Sequence, residues 1–236
     1  MSLATHDLPA LLAQLPHAPQ AVMAEVARRA QGGDAGAQLV MGQALLEGRA
    51  CQADPAAGFA WFERAANAGL PLAMNMLGRC YELGTGTAVN LALAAVWYRQ
   101  AADNGLDWGL YNLANLTATG RGVAKDPQAA YQLYLQAAQM GHAKSMNLVG
   151  RCLEDGIGVA ADPAAAPAWY YRAAQAGDFR GQASYASVLL AAGQVDHAVA
   201  LLQQAIAHGS PAFLATLKPQ LASAQDPRLT ALVDQF

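Results

Sequence analysis

AWFERAANAG (60–69), VWYRQAADNG (96–105), QLYLQAAQMG (132–141) and AWYYRAAQAG (168–177) end on Gly69, Gly105, Gly141 and Gly177, each 36 residues after the last. A fixed period of this length marks supersecondary units that bury their apolar faces only by stacking on neighbours. The same step recurs away from the glycines. Gly42, Gly78, Ala114, Gly150 and Ala186 form a second ladder of small residues, and the Ala-Ala pairs beginning at Ala65, Ala101, Ala137 and Ala173 form a third. A fifth unit closes at Gly209 after only 32 residues and lacks the glycine loop of units two to four, which makes it a shortened terminal repeat.

Composition indicates helices. Of 236 residues, 54% are hydrophobic and only 13% are charged, so the interior is large and the surface mostly neutral. Ala, Leu and Gln dominate over Val, Ile and Thr, and β-branched side chains lose freedom in a helix that Ala never had. The net charge of −3 comes from 14 basic and 17 acidic residues spread along the chain. No basic stripe is present to neutralise phosphates, so nucleic acid is not expected as a partner. The opening MSLATHDLPALLAQLPHAPQ has neither a basic start nor a long apolar run, which argues against a signal peptide or membrane span and for a cytoplasmic chain. Cys51, Cys80 and Cys152 are odd in number and widely spaced, and read as buried thiols.

Each unit parses into two helices. The first covers stretches such as PLAMNMLGRCYEL and HAKSMNLVGRCLED, where the missing side chain at Gly78 or Gly150 lets the paired helix come close. A loop follows, Gly84-Thr85-Gly86, Gly120-Arg121-Gly122 or Gly156-Ile157-Gly158, with glycines suited to a left-handed helix end. The second helix is expected to start at Asp54-Pro55, Asn90-Leu91, Asp126-Pro127 and Asp162-Pro163, where Asp or Asn caps and Pro occupies a position with no donor to lose. Pro167 falls four residues into the last of these and predicts a kink or a late start.

The combination of small-x-x-Tyr, Gly-x-Gly-Val, Asp and Trp-Tyr-x-x-Ala-Ala-x-x-Gly resembles the Sel-one-like repeat class of the tetratricopeptide superfamily. The resemblance runs from Asp34 to Gly209. Unit two keeps Leu77-Gly78, Tyr81, Trp97-Tyr98 and Ala101-Ala102, and unit four keeps Gly158-Val159, Asp162, Trp169-Tyr170 and Ala173-Ala174. Departures are Arg49-Ala50 after Gly48 in unit one, Thr117 and Leu133 in unit three, and Leu201-Leu202 in unit five. The resemblance implies an all-α, right-handed α-solenoid of stacked helix pairs. The chain then reads as one domain, 1–236, with caps at 1–33 and 210–236 and repeats at 34–69, 70–105, 106–141, 142–177 and 178–209. The segment AVMAEVARRAQGG, ending at Gly33, would be an orphan second helix.

By the same resemblance, the concave face that binds proteins or peptides is lined by first-helix residues around the small ladder. These are Asn75, Arg79 and Glu82 in unit two, Trp108, Tyr111 and Asn115 in unit three, and Lys144, Asn147, Arg151 and Glu154 in unit four. Asn can bond a peptide backbone through donor and acceptor, Arg can grip a carboxylate, and Trp or Tyr gives a rigid apolar contact. The alternative is that Asn and Arg merely fill surface and the aromatics pack between units.

Catalytic readings fare worse. The Gly-x-Gly loops follow helices, not strands, and recur in phase, so they are turns and not phosphate cradles. Glu82 and Glu154 lie two units apart, roughly 20 Å at helix packing distances, too far for a paired glycosidase site. His6, His17, His142, His197 and His208 lack metal-ligand spacing and read as solvated groups at helix ends. A non-enzymatic interaction scaffold with no metal or cofactor is therefore expected, partnered by a protein or peptide and not by a membrane. A small-molecule binder or hydrolytic enzyme in the same groove is the second reading. The third is a self-assembling module that docks through the stripe Leu229, Leu232, Val233 and Phe236, unless that stripe only seals the last repeat.

Overall fold

The computed structural model describes residues 8–13 and 16–236. They divide into two compact units, one ending at Lys125 and the other beginning at Asp126. The first holds α1 (Leu8–Leu12), α2 (Pro19–Gln31), α3 (Ala35–Glu47), α4 (Pro55–Asn67), α5 (Pro71–Leu83), α6 (Leu91–Asp103) and α7 (Asp107–Thr119). The second holds α8 (Pro127–Gln139), α9 (Ala143–Asp155), α10 (Ala166–Gln175), α11 (Phe179–Ala191), α12 (Val195–His208), α13 (Pro211–Ala222) and α14 (Pro227–Thr230), closing in a 3-10 turn at Ala231–Gln235. From α2 to α7, and again from α8 to α12, each helix packs on its sequence neighbours, and α9 also touches α11, the first helix of the next repeat.

The caps sit where the sequence puts them. Asp54, Asn90 and Asp126 each accept a bond from the backbone N–H three residues on, at 3.0, 3.0 and 2.9 Å. Pro19 stands one period before Pro55, and α2 is the orphan second helix, seated on α3 through Val22, Val26, Ala37 and Ala44. Pro167 delays α10: the helix begins at Ala166 and spans 10 residues where the other second helices of the repeats span 13 or 14. Asp162 still accepts from Ala165 N–H at 3.1 Å, but in a turn ahead of the helix, so Pro167 falls in the first turn, where its missing donor is harmless.

The second glycine of each loop has a tertiary role. A Cβ on Gly86 would stand 2.1 Å from Pro55 O, and one on Gly158 would stand 2.0 Å from Pro127 O. The loop thus rests its bare backbone on the start of the preceding repeat's second helix. In unit one Ala50 takes the same left-handed conformation, φ 58°, so the backbone path is kept where the glycine is not.

At the C-terminus, Leu229 and Leu232 are buried against Leu202, Leu217 and Leu221, and Val233 packs on the same cluster. This part of the apolar stripe seals the last repeat. Phe236 remains 36% exposed, with the Lys218 ammonium 5.5 Å from its ring centroid.

Two alanine substitutions separate backbone strain from crowding. Gly105 has φ 80° and nothing within 4 Å of an added Cβ, so Gly105→Ala should cost about 1–2 kcal/mol of left-handed strain. Gly86→Ala adds the collision with Pro55 and should cost roughly 1–3 kcal/mol more. Urea unfolding of the two variants measures the difference.

Candidate functional site

On an α-helix, residues three and four apart share a face. Asn75, Arg79 and Glu82 therefore form one stripe on α5, Trp108, Tyr111 and Asn115 one on α7, and Lys144, Asn147, Arg151 and Glu154 one on α9. Their positions relative to the small ladder recur, with Asn three before the small residue, Arg one after and Glu four after in both α5 and α9.

The ladder positions the carboxylates. A Cβ on Gly78 would lie 2.7 Å from the Tyr98 ring, and one on Gly150 would lie 2.5 Å from the Tyr170 ring. With the ring seated on bare backbone, the phenol reaches one helical turn onward. Tyr98 donates to Glu82 Oε2 at 2.7 Å and Tyr170 donates to Glu154 Oε2 at 2.5 Å. Burial, then the bond to the carboxylate, pushes both phenols well above the ordinary tyrosine range, so both stay protonated as donors. Glu82 accepts a further bond from Arg121 at 3.0 Å.

The Asn residues lie deeper than a surface reading implies. Asn75 is 7% exposed and its Oδ1 accepts from Asn112 Nδ2 at 2.8 Å. Its acceptor is thus already used within the protein. Asn147 is 3% exposed and its Oδ1 has no partner. Arg79 and Arg151 are exposed and make no ion pair among the described residues. Trp108 is 40% exposed and meets Tyr111 edge to face at 5.8 Å between centroids. Lys144 is half-buried, and its charge is felt by Asp178, the cap of α11.

In the second unit, Arg151, Glu154, Tyr170, Ser184 and Ser187 line an open pocket of about 480 Å3. Ser184 and Ser187 also wall an apolar hollow of about 320 Å3 against Leu190, Leu217 and Leu221. Tyr98, Tyr170, Asn112, Arg121 and Ser184 escape a reading of the first-helix stripes alone. The signal for the tyrosines is present: Tyr stands 16 residues after Glu in units two and four, while unit one has Leu46 and Phe62 at those positions.

The histidines need one correction. His17, His197 and His208 are exposed and His6 lies outside the described residues, but His142 is 5% exposed and caps α9. Its Nδ1 accepts from Ser145 N–H at 3.3 Å, the place that Asp34 and Asp178 fill in α3 and α11. Among the described residues no three His, Cys, Asp or Glu side chains converge as metal ligands do, and no helix is long and apolar enough to cross a membrane. The cysteines are free, with Cys80 and Cys152 buried and Cys51 half-buried.

Stacked helix pairs on a 36-residue period, presenting repeated side chains from their first helices, define an α-solenoid repeat protein. The Sel1 repeat family matches residues 35–70, 71–106, 109–142 and 143–178, and the chain belongs to that family. It is similar to the solved Sel1 repeat protein of Oxalobacter formigenes, at 26% identity and TM-score 0.83 over 97% of this chain and 98% of that one. It is also similar to c5321, a protective antigen of uropathogenic Escherichia coli strains with an SLR fold, at 30% identity and TM-score 0.73 over 89% of this chain and 47% of that one. The immunity protein Pa5087 of Pseudomonas aeruginosa shares the fold, at 18% identity and TM-score 0.58 over 84% of this chain and 75% of that one. The chain matches none of the curated protein sequences.

Two measurements check this site's electrostatics. Burial pushes the Cys80 thiol up to about 11 from an ordinary 9.0, and raises Cys152 as well. The unfolded chain therefore sheds these protons first, and stability should fall as pH rises from about 9 to about 11, read by denaturant titration across that window. Tyr98→Phe keeps the ring on Gly78 and loses only the phenol bond, so it should cost about 1 kcal/mol. Tyr98→Ala empties the seat and should cost about 3–5 kcal/mol in the same assay.

Proposed function

We propose that this protein is a non-enzymatic scaffold that binds a partner protein or peptide through its first helices. Sel1 repeats generally mediate protein–protein interaction. The observation that carries the reading here is the repeated, solvent-facing guanidinium: Arg79 and Arg151 stand at the same register position, each one turn from a carboxylate held by a buried tyrosine. A fixed neighbour and an unspent fork of donors suit recognition of a partner's carboxylate or backbone carbonyl. Trp108 and Tyr111 add a half-exposed aromatic pair of the kind that anchors interfaces. Asn115 and Lys144 complete the set on α7 and α9. The shifted groups beside these arginines are phenols and thiols held protonated by burial, which suits donors and not bases. Free thiols suit a reducing compartment, and we place the protein in the cytoplasm.

Capture of partners from cell lysate on immobilised protein tests the reading. A specific partner should bind roughly 10-fold or more weakly to the Arg79→Ala, Arg151→Ala double variant, the loss of hydrogen bonds from a charged group. Equal capture by both proteins would remove the arginines from the interface.

A further inference from the structure

In the first unit the acceptors along the stripe are satisfied from within. Asn112 Nδ2 donates to Asn75 Oδ1, Arg121 donates to Glu82 Oε1, and Tyr98 holds the other carboxylate oxygen. Two periods later the second unit repeats the acceptors as Asn147 and Glu154, with Tyr170 on one oxygen of Glu154. It does not repeat the donors. Helices α7 and α11 are in phase, Asp107–Thr119 against Phe179–Ala191, and the positions of Asn112 and Arg121 are taken by Ser184 and Gly193.

Three consequences follow from those two replacements. Asn147 Oδ1 is left buried without a partner. Glu154 makes no ion pair among the described residues. The space vacated by a long amide and a guanidinium is the pocket of about 480 Å3 between Arg151, Glu154, Tyr170 and Ser184. The open oxygen of Glu154 faces this pocket and is the acceptor a ligand can reach, while Asn147 marks the internal bond that Ser184 no longer makes.

We propose that this pocket binds an arginine side chain of a partner polypeptide, with the guanidinium on the open oxygen of Glu154 and the hydroxyls of Ser184 and Ser187 lining its approach. The first unit shows the arrangement in closed form, with Arg121 as the guanidinium on Glu82. The nearby Arg151 does not forbid a second cation, because Arg79 holds the same register position and Arg121 binds Glu82 there all the same. This inference rests on the reading of the first helices as the binding face and adds to it a chemical demand on the ligand.

The test is an NMR titration of the isotope-labelled full chain with the tripeptide acetyl-Gly-Arg-Gly-amide, beside versions carrying Gln or Glu in place of Arg. The arginine peptide should give saturable shifts at Ser184, Ser187 and Val188. Binding should weaken about tenfold with the Gln peptide or with Glu154→Gln. Ser184→Asn restores the internal amide, so it should weaken peptide binding while raising Tm by about 2–4 °C. The Asn112→Ser, Arg121→Ala double variant opens the first unit in the same manner and should add a second set of shifts around Glu82 and Asn115, with its fold checked by circular dichroism. Shifts indifferent to peptide charge or to Glu154→Gln, or no saturable shift at all, would overturn the arginine site. If the tripeptide fails while a captured partner still depends on Arg79 and Arg151, the scaffold reading stands and only this site falls. If both fail, both fall.

Discussion

An aromatic ring lying on bare backbone organises units one, two and four. At Gly78 and Gly150 no side chain separates the first helix from the ring that the second helix delivers, and any Cβ there would collide with Tyr98 or Tyr170. Unit one makes the same contact between Gly42 and Phe62, and unit five trades it for Ala186 with the smaller Ile206, both buried in one cluster. The polar chemistry follows from this seat. A tyrosine there brings its phenol to the residue one turn beyond the glycine, and that residue is Glu82 or Glu154. Phenylalanine has nothing to donate, and the corresponding residue is Leu46.

This dependence separates the features that the sequence makes legible from those it does not. The period, the helix pairs and the Asp and Asn caps are local or strictly repeated features, so spacing alone exposes them. Pro167 was legible for the same reason, since its clash involves only its own helix. Residues whose role depends on a neighbour several turns away were not. Asn75 and Asn147 have the composition of surface fillers but are buried, because the helix of the next repeat lies over them. His142 is a cap and not a solvated ring, a role visible only by aligning it with Asp34 and Asp178 in the repeat frame. Tyr98 and Tyr170 were legible as core aromatics, while their hydroxyl partners needed the ring's seat to be known.

Differences between repeats then become informative, because a shared backbone turns each substitution into a controlled comparison. Where unit two keeps Asn112 and Arg121 as neighbours in space, its polar stripe is closed. Where unit four meets Ser184 and Gly193, the same stripe is left open around a pocket. Solenoids bury their faces by stacking, so a repeat that leaves acceptors unfilled forgoes stability, and a ligand that fills them recovers it. The surface most suited to recognition thus lies where the repeats stop agreeing.

The central claim is that partners are recognised by the first helices. Hydrogen-exchange mass spectrometry of the full chain with and without a bound partner tests it most directly. The account predicts that the partner slows exchange in α5, α7, α9 and α11, most strongly around Arg79, Arg151 and Ser184, and leaves α6 and α8 unchanged. Protection concentrated on α6 and α8, with the first helices unaffected, would contradict it.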